Sequence, residues 1–153
     1  MSENLLMLRR KLDVLSRMQA DVQHSVGKIP GPLEKTRLGD VSALTADERE
    51  TISAFTTRFA SYQEQLGKAM RAIAIEEEAP TSPFGAILAL MEKLEILPSA
   101  EIWKEVRELR NLVNHEYEDD PVLLAQVLSA MMDKAGFLMS VHERLAVFVA
   151  TNY

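Results

Sequence analysis

Apolar residues recur along this chain at steps of three and four almost from end to end. Leu5, Leu8, Leu12, Leu15, Met18 and Val22 form the first such stripe, which predicts an amphipathic helix of roughly 22 residues. Gly27, Pro30, Gly31 and Pro32 predict its end and a long loop to about residue 44. Thr45 and Glu48 then frame a capping box. Behind it Ile52, Phe55, Phe59, Tyr62, Leu66, Ala69 and Ile73 alternate three and four without a break, the pattern of a bundle seam. This helix is expected to end, and to fray, in Glu76-Glu77-Glu78, where three carboxylates oppose the helix dipole.

Ser82-Pro83 predicts an N-cap followed by proline at the first helical position. The short apolar helix after it carries Phe84, Ile87, Leu88, Met91 and Leu94 and stops before Pro98. Ser99 caps a further helix with the stripe Ile102, Val106, Leu109 and Val113. Asp120-Pro121 repeats the cap-plus-proline signal, and the last helix carries Leu124, Val127, Met131, Ala135, Leu138, Leu145 and Phe148. No segment alternates with period two between hairpin turns. The predicted fold is all-α, an antiparallel four-helix bundle with one extra short helix, in a single domain over residues 1–153.

Composition narrows the chemistry. The chain has no cysteine, which excludes disulfides, thiolate zinc sites, a thiol nucleophile and iron–sulfur clusters. The longest run without a polar residue, Phe84 to Met91, is too short to cross a bilayer, and no signal peptide is visible, so a cytoplasmic protein is expected with no membrane partner. Net charge is −6, against a generally phosphate-seeking protein. The charge is uneven: residues 1–37 carry seven bases and four acids, while residues 99–120 carry three bases and seven acids.

Most catalytic signatures are missing. Neither Gly27-Lys28 nor Gly67-Lys68 sits in a P-loop, and there is no dinucleotide fingerprint or nucleophile elbow. His24, His115 and His142 are far apart in sequence, and none lies in a metalloprotease motif. His24 and His142 read as surface or half-buried side chains at the edges of apolar stripes. His115 with Glu116, Glu118, Asp119 and Asp120 reads as a solvated helix end before the next cap rather than a metal site. The eight methionines, scattered at helical spacing, read as core filler rather than a soft-metal site, and Trp103 is expected at the edge of the core. No metal or cofactor is expected.

The segment Glu108-Leu109-Arg110-Asn111-Leu112-Val113-Asn114-His115-Glu116-Tyr117 departs from ordinary helix chemistry. Leu109 and Val113 face the core, Arg110 and Tyr117 nearly eclipse one another beside that stripe, and Glu108, Asn111 and His115 form a second line. A forked guanidinium suited to phosphate and an imidazole poised near neutral pH share two turns of helix.

Arg110-x4-His115-x-Tyr117 resembles the R-x4-H-x-Y signature of the HEPN superfamily in its HepT-like branch. The likeness runs in order through Arg58-Phe59, Gln63, Leu66-Gly67-Lys68, Leu90-x-Glu92-Lys93-Leu94, Trp103 and Arg107-Glu108-Leu109-Arg110-Asn111, over roughly residues 45–145. The resemblance implies a four-helix bundle that forms a homodimer, with Arg and His of both protomers meeting in one cleft. It implies a metal-independent endoribonuclease, the toxin of a toxin–antitoxin pair whose antitoxin is a minimal nucleotidyltransferase (MNT) able to AMPylate the motif tyrosine. Carried over, Arg110 binds the scissile phosphate of an RNA substrate and His115 is the general acid/base for attack of the 2′-OH. Glu108, Asn111 and Asn114 support them, and Tyr117 is the modification target. RNA is further expected to meet Arg9, Arg10, Lys11 and Arg17 on the basic first helix. The same branch implies an alternative, a non-catalytic nucleotide- or substrate-binding partner subunit of the nucleotidyltransferase. In an ideal helix Arg110 and His115 point about 140° apart. A two-fold contact that brings Arg110 of one chain to His115 of the other is therefore expected.

Overall fold

A computed structural model describes residues 1–39, 41–113 and 120–153. The elements are α1 (Glu3–Lys28), α2 (Pro30–Arg37), a 3₁₀ turn (Val41–Ala43), α3 (Ala46–Glu76), α4 (Phe84–Lys93), α5 (Ala100–Val113) and α6 (Pro121–Asn152). There is no strand among the described residues, so the all-α expectation holds. The capping box is present: Thr45 Oγ1 accepts the Glu48 N–H, and Glu48 accepts the Thr45 N–H, both at 3.1 Å. Asp120 accepts the amides of Val122 and Leu123, which starts α6 as its cap-plus-proline signal predicts.

Long-range hydrogen bonds set the helix directions. Asn4, at the start of α1, donates to Ala72 O near the end of α3, while Arg58 donates to Ser25 near the end of α1, so this pair is antiparallel. Arg110 of α5 bonds Gln63 of α3, and Lys134 of α6 pairs with Glu105 of α5. Arg9 near the start of α1 reaches Tyr153 O at the end of α6. The four long helices α1, α3, α5 and α6 thus run up, down, up and down around one core. Phe55, Phe59, Tyr62, Leu66, Ala69 and Ile73 of α3 are fully buried there, with Leu8, Leu15, Val106, Leu128, Met131, Leu138 and Leu145 from the other three. By length and composition α6 also suits a bilayer, but here Leu124, Val127, Leu138 and Leu145 pack into the bundle.

Five local expectations need correction. The loop expected over residues 27–44 is largely helical: α1 runs through Gly27, and α2 follows at once. Pro30 and Pro32 fall in the first turn of α2, where their missing N–H groups have no intrahelical partner to lose. Ile29, Leu33, Thr36 and Leu44 are buried, so α2 closes one end of the bundle. Two short helices, not one, therefore accompany the four long ones.

The end of α3 is held rather than frayed. Glu78 takes a left-handed φ of 54°; its amide bonds Ile75 O and the Ala79 amide bonds Ala74 O, the two bonds of a Schellman motif. Ser2 and Asn4 donate to Glu76, and Tyr153 donates to Glu77, which offsets the unfavourable dipole. Pro83, extended at ψ 169°, occupies the N-cap of α4 in place of Ser82, so the helix begins one residue later.

Trp103 and His142 lie deeper than the stripe edges suggest. Trp103 is wholly buried, and His142 is a core residue because Tyr62 supplies a partner: the phenol oxygen lies 2.7 Å from His142 Nδ1. Burial pushes the His142 imidazole below its ordinary value and the Tyr62 phenol above its own.

Candidate functional site

Helix α5 sorts its charges around its axis. Trp103, Arg107 and Arg110 follow steps of four and three, and so do Glu101, Glu105 and Glu108, displaced by two residues. Two residues are about 200° of rotation, so the lines occupy opposite sides of the helix. The three glutamates are exposed; Glu105 pairs with Lys134 at 3.5 Å and Glu101 with Lys104 at 3.3 Å. Arg107 and Arg110 are half-buried and turn toward α3.

On α3, Glu64, Lys68 and Arg71 repeat the four-three spacing, with Gln63 and Gly67 beside them. Together with α4 the two helices enclose a groove of about 290 Å³. Its rim carries four cations, Lys68, Arg71, Arg107 and Arg110, against one carboxylate, Glu64. Arg110 Nη1 donates to Oε1 of the buried Gln63 at 3.2 Å, which braces the guanidinium at the edge of the groove. Arg71 donates to Thr81 O at 3.0 Å and lies over the Phe84 ring, 5.9 Å from its centroid. Lys68 and Glu64 approach to 3.8 Å, a solvent-exposed pair of little energetic weight. Among the described residues Arg107 has no carboxylate within salt-bridge distance.

The floor is largely apolar. A methyl built on Gly67 would stand 3.6 Å from both Phe84 Cζ and Trp103 Cζ2. Trp103 itself is wholly buried beneath this floor. Trp103 Nε1 is the one buried side-chain nitrogen or oxygen without a hydrogen-bond partner among the described residues. An unmet buried donor costs about 1–3 kcal/mol.

The remaining predicted residues are dispersed. Glu108 and Asn111 are exposed, and neither lines the groove. Asn114, His115 and Tyr117 lie outside the described residues. On α1, Arg9 donates to Tyr153 O at 2.9 Å, and Arg10 and Arg17 are exposed. Lys11 donates to Gln65 of α3 at 2.8 Å, and burial first, then the charge of Lys68, lower its pKa. The charge of Lys68 links Lys11 to the groove. Among the described residues no group of three or more histidine, aspartate or glutamate side chains could hold a metal ion.

Lys68, Arg71, Arg107 and Trp103 stood outside the predicted site. The signal for them was the four-three spacing of α3 and α5, which becomes meaningful once those two helices are known to be neighbours. No protein-family model, curated protein or solved structure matches this chain.

Proposed function

We propose that this chain is a metal-independent endoribonuclease of the HEPN type, the toxin of an MNT–HEPN pair, acting as a homodimer. The observation that carries the reading is Arg110, braced by Gln63 at the edge of a groove with three further cations, on the helix that leads into the R-x4-H-x-Y segment. A positive groove in a chain of net charge −6 is a local concentration of field suited to a phosphodiester.

In this reading the RNA 2′-OH attacks the adjacent phosphorus. His115 accepts the 2′-OH proton, and an imidazolium, on the second protomer where the cleft is shared, protonates the departing 5′-oxygen. The O2′–P bond forms as the P–O5′ bond breaks, leaving a 2′,3′-cyclic phosphate and a 5′-hydroxyl. Arg110 stabilises the charge that develops on the phosphoryl oxygens. Tyr117, two residues beyond His115, is the site that the nucleotidyltransferase modifies with AMP; the added anion competes for the same guanidinium.

The test is cleavage of RNA by purified protein in chelator, with product ends identified by mass. His115→Ala is expected to lower the rate by roughly 10²–10⁴. Arg110→Ala should be comparably damaging, and Arg110→Lys should not restore activity because the fork is lost. Cleavage that survives His115→Ala but disappears in chelator would retire the mechanism. A fully active monomer in sedimentation would retire the shared cleft.

A further inference from the structure

Helix α1 carries exposed charges in one line. Glu3, Arg10, Asp13, Arg17, Asp21 and Lys28 are all exposed and fall within about 80° of arc, opposite the buried Leu8, Leu15 and Val22. Their signs alternate from minus at Glu3 to plus at Lys28, so the line has no net charge and is poorly suited to a phosphate backbone. None of the six joins an ion pair among the described residues. The order is also antisymmetric about the middle of the helix, which falls between residues 15 and 16. Positions 3 and 28 are equidistant from that point and opposite in sign, and so are 10 and 21; positions 13 and 17 miss by one residue. Two copies of α1 laid side by side in opposite directions therefore set Glu3 against Lys28, Arg10 against Asp21 and Asp13 against Arg17, each pair occurring twice. A parallel pair sets every charge against itself. Sliding the antiparallel pair by one turn sets Arg17 against Arg17 and Asp13 against Asp21 in one direction, and Arg10 against Arg17 in the other. Leu6 stands in the line, with Met7 and Val14 beside it; Leu6 and Met7 are 44% and 47% exposed, which gives the contact apolar area.

We propose that α1 is the contact face for a second copy of this chain, the two helices antiparallel across a two-fold axis that passes near the middle of each. The contact does not depend on the ribonuclease reading or on the shared cleft, which belongs to α5. Where both contacts form, α1 joins shared-cleft dimers into a larger assembly. Solvent-exposed pairs are individually weak. The register comes from all six acting together and from the like charges that the neighbouring registers bring face to face.

A charge swap read by sedimentation of the intact chain tests it. Arg10→Glu and Asp21→Arg each bring like charges together at two points of the contact, so each should weaken association at least about tenfold. The double variant exchanges the two signs and should restore association to within about threefold of the wild type. Arg10 and Asp21 are about 16 Å apart along one helix, so that rescue cannot arise within a single chain. All four proteins should melt at nearly the same temperature, since both side chains are exposed. Association of the wild type should also weaken severalfold as salt rises from about 0.05 to 0.5 M, because screening shortens the reach of each charge. Wild type and both single variants sedimenting alike, or a double variant as dissociated as the single ones, would overturn the proposal. So would an unchanged mass with RNA affinity lowered by Arg10→Glu, which would assign the face to nucleic acid. Rescue by the swap in a protein that cuts no RNA would leave this contact standing and remove the ribonuclease; RNA cleavage by a protein whose mass ignores both reversals would do the reverse.

Discussion

Arg110 and Gln63 offer a test in which two disruptive substitutions should be less damaging together than one alone. Gln63 is 4% exposed, and its Oε1 accepts from Arg110 Nη1 at 3.2 Å. Arg110→Ala removes the donor and leaves that buried oxygen without it. The penalty for an unmet buried polar group is about 1–3 kcal/mol, and the open groove, which admits water, sets it near the lower half, about 1–2 kcal/mol. For a domain of this size that is a fall in Tm of roughly 2–8 °C. Gln63→Leu removes the acceptor and substitutes an apolar side chain of similar length, so it should cost less than about 1 kcal/mol by itself. In the double variant no stranded acceptor remains, and at least half of the Arg110→Ala loss should return. Urea unfolding followed by far-ultraviolet circular dichroism measures all four proteins, with the slope m held constant as the control. Strict additivity, or a double variant less stable than either single one, would refute the view that Gln63 exists to brace Arg110. Under the proposed ribonuclease function, Gln63→Leu should also lower RNA cleavage while leaving stability nearly intact, since the guanidinium is no longer held at the groove edge.

Phe59 is fully buried and packs with Phe55 at a 6.1 Å ring separation, so Phe59→Ala should cost about 3–5 kcal/mol in the same unfolding assay. Less than about 1 kcal/mol would place it outside the core. Burial holds the folded-state pKa of His142 below the unfolded value, so the unfolded chain takes up that proton first as the pH falls. Its contribution is complete above the unfolded value of 6.5 and is lost as the pH falls below it; urea midpoints should drop as the pH is lowered through that value and drop less in His142→Gln. Equal slopes in both proteins would assign the pH dependence elsewhere. Under the proposed function, co-expression with a minimal nucleotidyltransferase encoded beside this chain should add the mass of AMP to the wild type and not to Tyr117→Phe; no addition to the wild type, or the same addition on both, would remove Tyr117 as the switch.

Helical period and caps are local properties, and they were legible from residues alone. The α3 seam is unbroken from Ile52 to Ile73 because the helix presents the same face to the core over its whole length. Thr45 with Glu48, and Asp120 with Pro121, start helices through bonds that span only two or three residues. The region from Gly27 to Ala43 reads as a loop in the sequence because Pro and Gly usually break helices. Two prolines within one first turn instead permit a helix, and the burial of Ile29 and Leu33 against the bundle end rewards it. His142 moved inward for a similar reason, since only the packing of α6 on α3 brings it the Tyr62 hydroxyl.

Arg110 was legible as a candidate; its surroundings were not. The sequence of residues 99–120 carries an excess of acid, and counting along the chain averages over every direction around a helix. In three dimensions the glutamates of α5 face solvent while Arg107 and Arg110 turn the other way, to meet Lys68 and Arg71 across from them. The sequence by itself determined which residues share a face of each helix, because rise and rotation per residue are constants of the backbone. Only the tertiary structure decided which faces meet, because the burial that pairs α3 with α5 is a non-directional attraction between stripes, and its outcome depends on the packing of all the helices at once.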